Sequence, residues 1–332
     1  MKRLPLDIQT LCAGLVQALD GAGGHGTIYE QHGHFYAVSR QAGKRVNRHL
    51  GNKDDPAAQA QASAIKVHAE QARSRRATIR MLRAGGLTGP GQRIGAILEA
   101  FSRLGLFEPQ RLVLIGTLAA GVYPGMLGAA FPAGMLATHD IDLGVVSLAA
   151  FGRNNFEPLH LPAALHAVDE NIAPIASAGL PHKFRGSDGV EIEFLSPARR
   201  GGLTSAAIPQ LGISAETLPY MDYLIADAVP AALLHGSGVF VRVPHPARYA
   251  VHKLIVAQKR PIGEAKRGKD LEQARELMEA LEALAPDELA DALDDARSRG
   301  KKWREPIEAS LKLLGKPAPA KVFQPPKPPK SM

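Results

Sequence analysis

The sequence predicts an α+β protein with a short mixed sheet and flanking helices, and three observations lead to this prediction. Apolar residues recur at helical spacing near the start of the chain, whereas the middle holds short apolar runs typical of strands. After about Pro219 the pattern becomes mostly helical. Of the 332 residues, 45% are hydrophobic, which is enough to build packed cores, and no apolar run approaches the ~18 residues of a membrane span.

Residues 1–91 are predicted to form a small basic α+β domain. Apolar spacing marks its first helix, alternating apolar residues mark its strands, and Asp55 followed by Pro56 is typical of a helix start. The predicted elements are a helix at residues 6–19, a hairpin at residues 27–38, a basic third strand at residues 44–51 and a helix from residue 56 to about 83, ended by two glycines.

Residues 92–218 are predicted to form the central domain, and residues 219–315 a mainly helical one. A Pro/Lys-rich tail at 316–332, with six prolines and four lysines, is predicted to be disordered. The predicted elements are a helix at residues 94–104, strands at residues 111–115, 140–146 and 190–195 of the central domain, and a short strand at residues 239–243 of the last one.

Charge is unevenly spread along the chain. Lys and Arg exceed Asp and Glu by 40 to 32, yet residues 40–93 hold twelve basic and three acidic residues, and residues 300–332 hold eight and two. The middle, residues 111–200, is mildly acidic, with six basic and eight acidic residues. Basic ends around an acidic centre are typical of a protein that binds a polyanionic partner and holds a metal ion at its centre. A solvated basic surface without a partner would give the same counts.

The predicted compartment is a reducing cytoplasm. The single cysteine, Cys12, can form no internal disulfide, and the first residues lack the apolar run and cleavage site of a secretory signal.

The residues that indicate chemistry lie in the central domain. Asp140 and Asp142 flank Ile141 on a predicted strand, so both carboxylates point to one face. Two neighbouring carboxylates repel one another unless a divalent cation lies between them. A third acid, Glu193, lies on another strand, and Gly116-Thr117 follows a buried one, where backbone and hydroxyl can approach phosphate. Together these features favour metal-dependent nucleotidyl transfer over an edge strand with surface acids.

Several ordered blocks resemble the polymerase-β-type minimal nucleotidyltransferase superfamily. More closely, they resemble its bacterial nucleotidyltransferase-fold branch, and they are distantly similar to abortive-infection nucleotidyltransferase toxins. The blocks span about residues 92–284, with Thr117 where the superfamily usually has Ser and Glu193 where Asp is commoner. The matching blocks are Leu114–Ala120, Thr138–Leu143, Val190–Pro197, Val243–Leu254 and Lys266–Ala274.

The resemblance implies a role for each matching residue. Asp140 and Asp142 would be metal ligands for Mg²⁺ or Mn²⁺, and Glu193 would be a third ligand or the base. The residues implied to bind the triphosphate of an NTP are Gly116, Thr117, Lys253, Lys266 and Lys269.

The N-terminal strands combine aromatic and basic residues. Lys44, Arg45 and Arg48 lie near Tyr29, Phe35 and Tyr36, a composition typical of nucleic-acid-binding surfaces, although the aromatic residues could equally form the core of a small domain.

The leading hypothesis is an enzyme that moves a nucleoside monophosphate from an NTP to a hydroxyl, with RNA as one acceptor. The alternative is a catalytically degenerate module that binds nucleic acid or protein. A third hypothesis, an antitoxin-like or small-molecule-modifying relative such as an antibiotic adenylyltransferase, predicts an acidic acceptor pocket, which the basic flanks do not favour.

Overall fold

The computed structural model describes residues 2–20, 27–41, 44–132, 138, 140–151, 158–175, 179–198 and 202–316. The predicted tail therefore lies outside the described residues, apart from Lys316. Its α-helices are α1 Leu6–Leu19, α2 Pro56–Ala84, α3 Gln92–Arg103, α4 Gly116–Ala120, α5 Tyr123–Leu127, α6 Leu161–Val168, α7 Met221–Ile225, α8 Pro246–Ala257, α9 Ala265–Leu284, α10 Pro286–Ser298 and α11 Lys301–Leu313. Its strands are β1 Lys2–Arg3, β2 Thr27–Gln31, β3 His34–Gln41, β4 Lys44–Asn52, β5 Leu112–Ile115, β6 Ala129–Ala130, β7 Asp140–Val145, β8 Ala173–Pro174, β9 Lys183–Arg185, β10 Glu191–Pro197, β11 Ser205–Ile208, β12 Ile213–Leu218, β13 Val229–Leu233 and β14 Val239–Val243.

The chain divides into two compact units, residues 1–245 and residues 246–332. The predicted domain boundaries at residues 91 and 218 remain predictions. No helix among the described residues combines the length and the apolar character that crossing a bilayer requires.

The N-terminal part of the first unit is a three-stranded antiparallel sheet, in the order β2-β3-β4, with helix α2 packed against it. Helix α2 begins where the sequence predicts it, because the Asp55 carboxylate accepts a hydrogen bond from the Ala57 amide and Pro56 occupies the first turn. Its far end is tied to the segment after β13: the Arg83 guanidinium donates to the Leu234 carbonyl at 2.6 Å, and buried Arg75 donates to the Ser237 carbonyl at 3.0 Å.

The central sheet positions the candidate site. Its strands run in the order β11-β12-β10-β7-β5, with β9 beside the first half of β10. Strand β7 is parallel to β10, β10 is parallel to β12, and β5 is antiparallel to β7, so the sheet is mixed. One face is covered by apolar side chains, since Phe194 of β10 is fully buried and lies 6.4 Å from the Phe101 ring of α3 and 6.1 Å from the Phe184 ring of β9.

The second unit is helical in its described residues. Helix α8 is largely buried and packs against α9, α10 and α11. An ion pair around the buried Asp270 carboxylate joins α8 to α9: the Lys253 amine lies 2.5 Å from one Asp270 oxygen, and Arg260 lies 2.6 Å from the other. Burial disfavours the Lys253 charge, but Tyr249 and Asp270 outweigh this effect, so the pKa of Lys253 is raised above its ordinary value.

Most predicted elements of the first unit are confirmed, and the prediction of a mostly helical chain after Pro219 is wrong for one segment. Strand β13, at Val229–Leu233, contains Pro230 and two alanines, and neither residue type favours a strand. It forms because it pairs antiparallel with β14 along its whole length. Strands β11 and β12 were not predicted either, since their Ala- and Ser-rich segments lack a clear alternation.

Candidate functional site

Asp140 and Asp142 lie on the same face of strand β7. Both residues are half-buried, whereas Ile141 and Leu143 between and beyond them are fully buried on the opposite face. The alternation predicted from the sequence is therefore present, and it places the two carboxylates next to each other along the strand on one face of the sheet.

The neighbouring strand adds two more acids to this face. In the parallel register of β7 and β10, Asp142 pairs with Glu193 and Asp140 pairs with Glu191. Adjacent strands lie about 4.8 Å apart, so the four acidic residues form a compact patch. Glu193 thus stands beside Asp142, as its implied role requires.

Gly116 brings the end of strand β5 against the same patch. Ile115, the last residue of β5, pairs with Asp142, and the chain then turns at Gly116 with a φ of +66°. A Cβ atom at position 116 would lie 2.1 Å from Asp142 Oδ2, far inside van der Waals contact. Only glycine combines this φ with this close approach, so the Gly116 backbone lies directly at the Asp142 carboxylate.

Strand β9 supplies cations that the sequence analysis missed. The Lys183 amine lies 2.7 Å from Glu191 Oε2 and 4.0 Å from Glu193 Oε1, and Arg185 also hydrogen-bonds Glu191. The hydrogen bond to Glu191 is the main cause that raises the pKa of Lys183, with Glu193 and Asp140 contributing. The same two cations lower the pKa of Glu191. Glu191 is therefore charged and held by two cations.

A histidine and a glutamate lie on the side of Glu193 that faces away from strand β7. One ligand atom each of His182, Glu193 and Glu216 lies within 4.8 Å of the others. The segment before β9 is held between two strands, because the Phe194 amide donates to the His182 carbonyl and the Ser214 amide to the Pro181 carbonyl, both at 2.9 Å. Glu193 can thus share a cation with His182 and Glu216. No local signal in the sequence marks His182 or Glu216.

The family model described as Nucleotidyltransferase matches residues 92–298, which is more than half of the chain and contains β5, β7 and β10. The chain belongs to this nucleotidyltransferase family. The recognition made from the sequence blocks is confirmed at this level, whereas the distant similarity to abortive-infection toxins remains a prediction.

Two further comparisons accompany the family match. Among solved structures, the chain is similar to an antigenic nucleotidyltransferase-like protein from Paracoccidioides brasiliensis, with 15% identity over 66% of this chain and 90% of that chain and a TM-score of 0.33. The family assignment does not rest on this likeness. No curated protein matches the chain.

Residues 117–128 of the region that matches the family model contribute to the wall of a cavity of about 350 Å³ in the first unit. Its wall is mostly apolar, with Leu87, Leu118 and Leu233 among its residues, and Thr117 forms part of it. Cys12 faces the same space, and burial raises the pKa of its thiol to about 11, so it is neutral. Thr117 therefore lines the apolar cavity and directly follows Gly116, the residue that approaches Asp142.

The three lysines implied to bind nucleotide belong to the second unit. Lys253 is half-buried and paired with Asp270, Lys266 is exposed on α9, and Lys269 is half-exposed on the same helix. Their role in nucleotide binding remains a prediction.

The predicted nucleic-acid-binding residues all lie on strand β4. The backbones of Lys44 and Arg45 pair with Gln41 and Arg40 of β3, while their side chains fall outside the described residues. Arg48 is exposed. Their role also remains a prediction.

Proposed function

We propose that this nucleotidyltransferase moves a nucleoside monophosphate from an NTP to a hydroxyl acceptor with the help of a divalent cation. The observation that carries the proposal is the meeting of Gly116 with Asp142, with Glu193 in register beside them. This arrangement offers backbone for phosphate and carboxylates for a cation at one point of the sheet.

Asp140, Asp142 and Glu193 fit a hard divalent cation such as Mg²⁺ or Mn²⁺. Their oxygens belong to one half-buried face, and carboxylates are the ligands that these cations prefer. A bound cation would supply positive charge that stabilises the phosphoryl oxygens and the departing pyrophosphate. His182 and Glu216 stand beside Glu193 as additional ligands.

The backbone of Gly116 and the hydroxyl of Thr117 would hold the triphosphate next to these carboxylates. In the transfer, the acceptor oxygen forms a bond to the α-phosphorus, and the bond to the bridging oxygen breaks. Pyrophosphate leaves with that electron pair, and the proton of the hydroxyl passes to the Glu193 carboxylate.

RNA is the proposed acceptor, because basic residues are in excess in the sequence both before and after the acidic centre, and a polyanion binds basic surfaces. One observation favours the alternative of a catalytically degenerate binding module. The Lys183 ammonium already lies beside Glu191 and Glu193, where a protein cation offsets part of the charge that a metal would neutralise.

The two hypotheses differ in one experiment. The parent, incubated with each α-labelled NTP, Mg²⁺ or Mn²⁺ and total RNA, should attach label to RNA and release pyrophosphate. The variant Asp140→Asn plus Asp142→Asn should lose the transfer, whereas Glu170→Gln, at an exposed acid outside the patch, should keep it. Undiminished transfer by the double variant would exclude the assigned residues, and no transfer by the parent with any NTP would favour the binding module.

A further inference from the structure

Four aromatic rings form a continuous row on the N-terminal sheet. Tyr29 of β2 stacks on Tyr36 of β3, with ring centroids 5.1 Å apart and planes inclined by 14°. Tyr36 contacts His49 of β4 at 5.1 Å, and His49 contacts His34 of β3 at 5.0 Å. The imidazoles of His49 and His34 also form a hydrogen bond of 3.0 Å.

This row lies on the face of the sheet that points away from helix α2. On the other face of β3, Ala37 is buried, and a Cβ added at Gly51, the partner of Phe35, would meet the Ala58 side chain of α2 at 3.0 Å. Side chains alternate along a strand, so Tyr36 and His34 point the opposite way. They are half-buried and His49 is exposed, so the rings are not the core of the small domain but part of its surface.

The surroundings of the row are basic. Residues 27–84 contain eleven Lys and Arg residues and four Asp and Glu residues. Two of the four acids are engaged, since Glu30 pairs with Lys53 and Asp55 caps α2. The exposed cations of this region whose side chains the structure describes include Arg48 on β4 and Lys66, Arg73, Arg76 and Arg80 on α2.

We propose that the ring row and strand β4 bind single-stranded nucleic acid. A base stacks on a ring of the row, and the phosphates lie against exposed cations such as Arg48. Positive charge alone would fit any polyanion, but stackable rings within a basic surface fit a polyanion that carries bases. A duplex is disfavoured because its bases are already stacked on one another. The inference rests on the proposed function in one respect, since the bound strand would provide the acceptor hydroxyl.

The test measures binding to the full chain without NTP. The probe is a fluorescent uridine oligomer of about ten nucleotides, within the site sizes of single-strand-binding folds. Its matched control is an abasic oligomer with the same number of phosphates. The parent should bind the base-bearing strand about tenfold or more tightly than the abasic strand. Equal affinity for the two strands, or a preference for duplex, would overturn the proposal.

Two sets of variants separate stacking from charge. Tyr29→Ala at the sheet edge should weaken binding of the uridine oligomer about five- to a hundredfold with an unchanged salt slope, and Tyr29→Phe should restore it. Replacing Lys44, Arg45 and Arg48 by Ala should lower the log–log salt slope by up to about 3 units. An unaltered affinity of Tyr29→Ala for the uridine oligomer would overturn the stacking role of the ring row. An unaltered salt slope of the Lys44, Arg45 and Arg48 variant would overturn the phosphate-binding role of these three cations. Melting of each variant verifies its fold, and Tyr36→Leu gives a second test inside the row.

The outcome is separable from that of the transfer reaction. Base-dependent binding without any nucleotidyl transfer would contradict the proposed function alone. Nucleotidyl transfer with equal affinity for base-bearing and abasic strands would contradict this inference alone.

Discussion

Gly116 and Asp142 approach so closely that residue 116 has no room for a side chain. A Cβ atom there would lie 2.1 Å from Asp142 Oδ2, and the φ of +66° is one that L-residues with a Cβ rarely adopt. The contact ties the end of β5 to the acidic strand β7. It places the backbone that would meet phosphate beside a carboxylate that would hold a cation.

Gly116→Ala should destabilise the protein because it adds both backbone strain and a steric clash. We expect a loss of at least about 1–2 kcal/mol in the free energy of unfolding from the left-handed φ alone, measured by urea denaturation. Gly14→Ala is the matched control, since Gly14 is an exposed residue inside α1, and a Cβ atom added there would have no neighbour within 4 Å. It should be neutral or stabilising by up to about 1 kcal/mol. Equal stability of Gly116→Ala and the parent would contradict the close approach.

Divalent cations should stabilise the parent through Asp140 and Asp142. A cation at about 100 times its dissociation constant adds about 2.7 kcal/mol to the free energy of unfolding, which a thermal-shift titration with Mg²⁺ or Mn²⁺ detects. Asp140→Asn plus Asp142→Asn should remove this shift, and its metal-free melting temperature should equal or exceed that of the parent because carboxylate repulsion is relieved. The same shift in the double variant would place the cation elsewhere.

Thr117 should act through its hydroxyl. Thr117→Ser keeps the hydroxyl and should retain most nucleotide binding and turnover. Thr117→Val keeps the shape and should lose about 1–3 kcal/mol of nucleotide or transition-state binding, measured by titration and by initial rates. Because Thr117 also lines the apolar cavity, the added methyl group of Thr117→Val should not disturb the packing of the protein. If Val matched the parent in both measurements, Thr117 would be a packing residue at the end of a strand.

Lys183 should compete with a divalent cation for the carboxylates. Its removal in Lys183→Met leaves Glu193 without the nearby ammonium, so Mg²⁺ should bind about two- to fivefold more tightly, as expected for a partly exposed ion pair. Isothermal titration measures the change, and Lys301→Met, at an exposed pair on α11, is the control. Weaker Mg²⁺ binding by Lys183→Met would instead mean that Lys183 organises the site.

The pair Lys253–Asp270 should contribute strongly to the stability of the helical unit. Lys253→Met removes one of the two cations that hold the buried Asp270 carboxylate and leaves the Arg260 contact in place, at a cost of about 1–3 kcal/mol. Lys301→Met, which breaks the exposed pair with Glu305, should cost less than about 0.5 kcal/mol. Similar urea midpoints for the two variants would contradict the expected contribution of the Lys253–Asp270 pair to the free energy of unfolding.

The pH dependence of this pair follows from the raised pKa of Lys253. The folded protein holds the proton more tightly than the unfolded chain, so the contribution is complete below the ordinary lysine pKa of about 10.4 and is lost as pH rises through the folded value. Urea midpoints of the parent should fall above about pH 10 by more than those of Lys253→Met. Parallel curves for the two proteins would contradict the raised pKa.

Local patterns were sufficient to predict much of the fold. The Asp55–Pro56 start of α2, the hairpin β2–β3 and the shared face of Asp140 and Asp142 all follow from interactions between residues close in the chain. Capping and strand alternation act over a few residues, so a single sequence contains the information. Strand β13 was missed because its pairing with β14, and not its own composition, makes it a strand.

The sequence by itself determined the family, the acidic strand and the glycine that precedes Thr117. Only the tertiary structure decided that Glu193 is the partner of Asp142, that Lys183 and Glu191 form a pair at its side, and that His182 and Glu216 converge on Glu193. It also decided that the rings of Tyr29 and Tyr36 lie on the surface of the N-terminal sheet. The reason is that strand order and register depend on pairing between distant segments, and a shift of one residue would turn every one of these side chains to the other face.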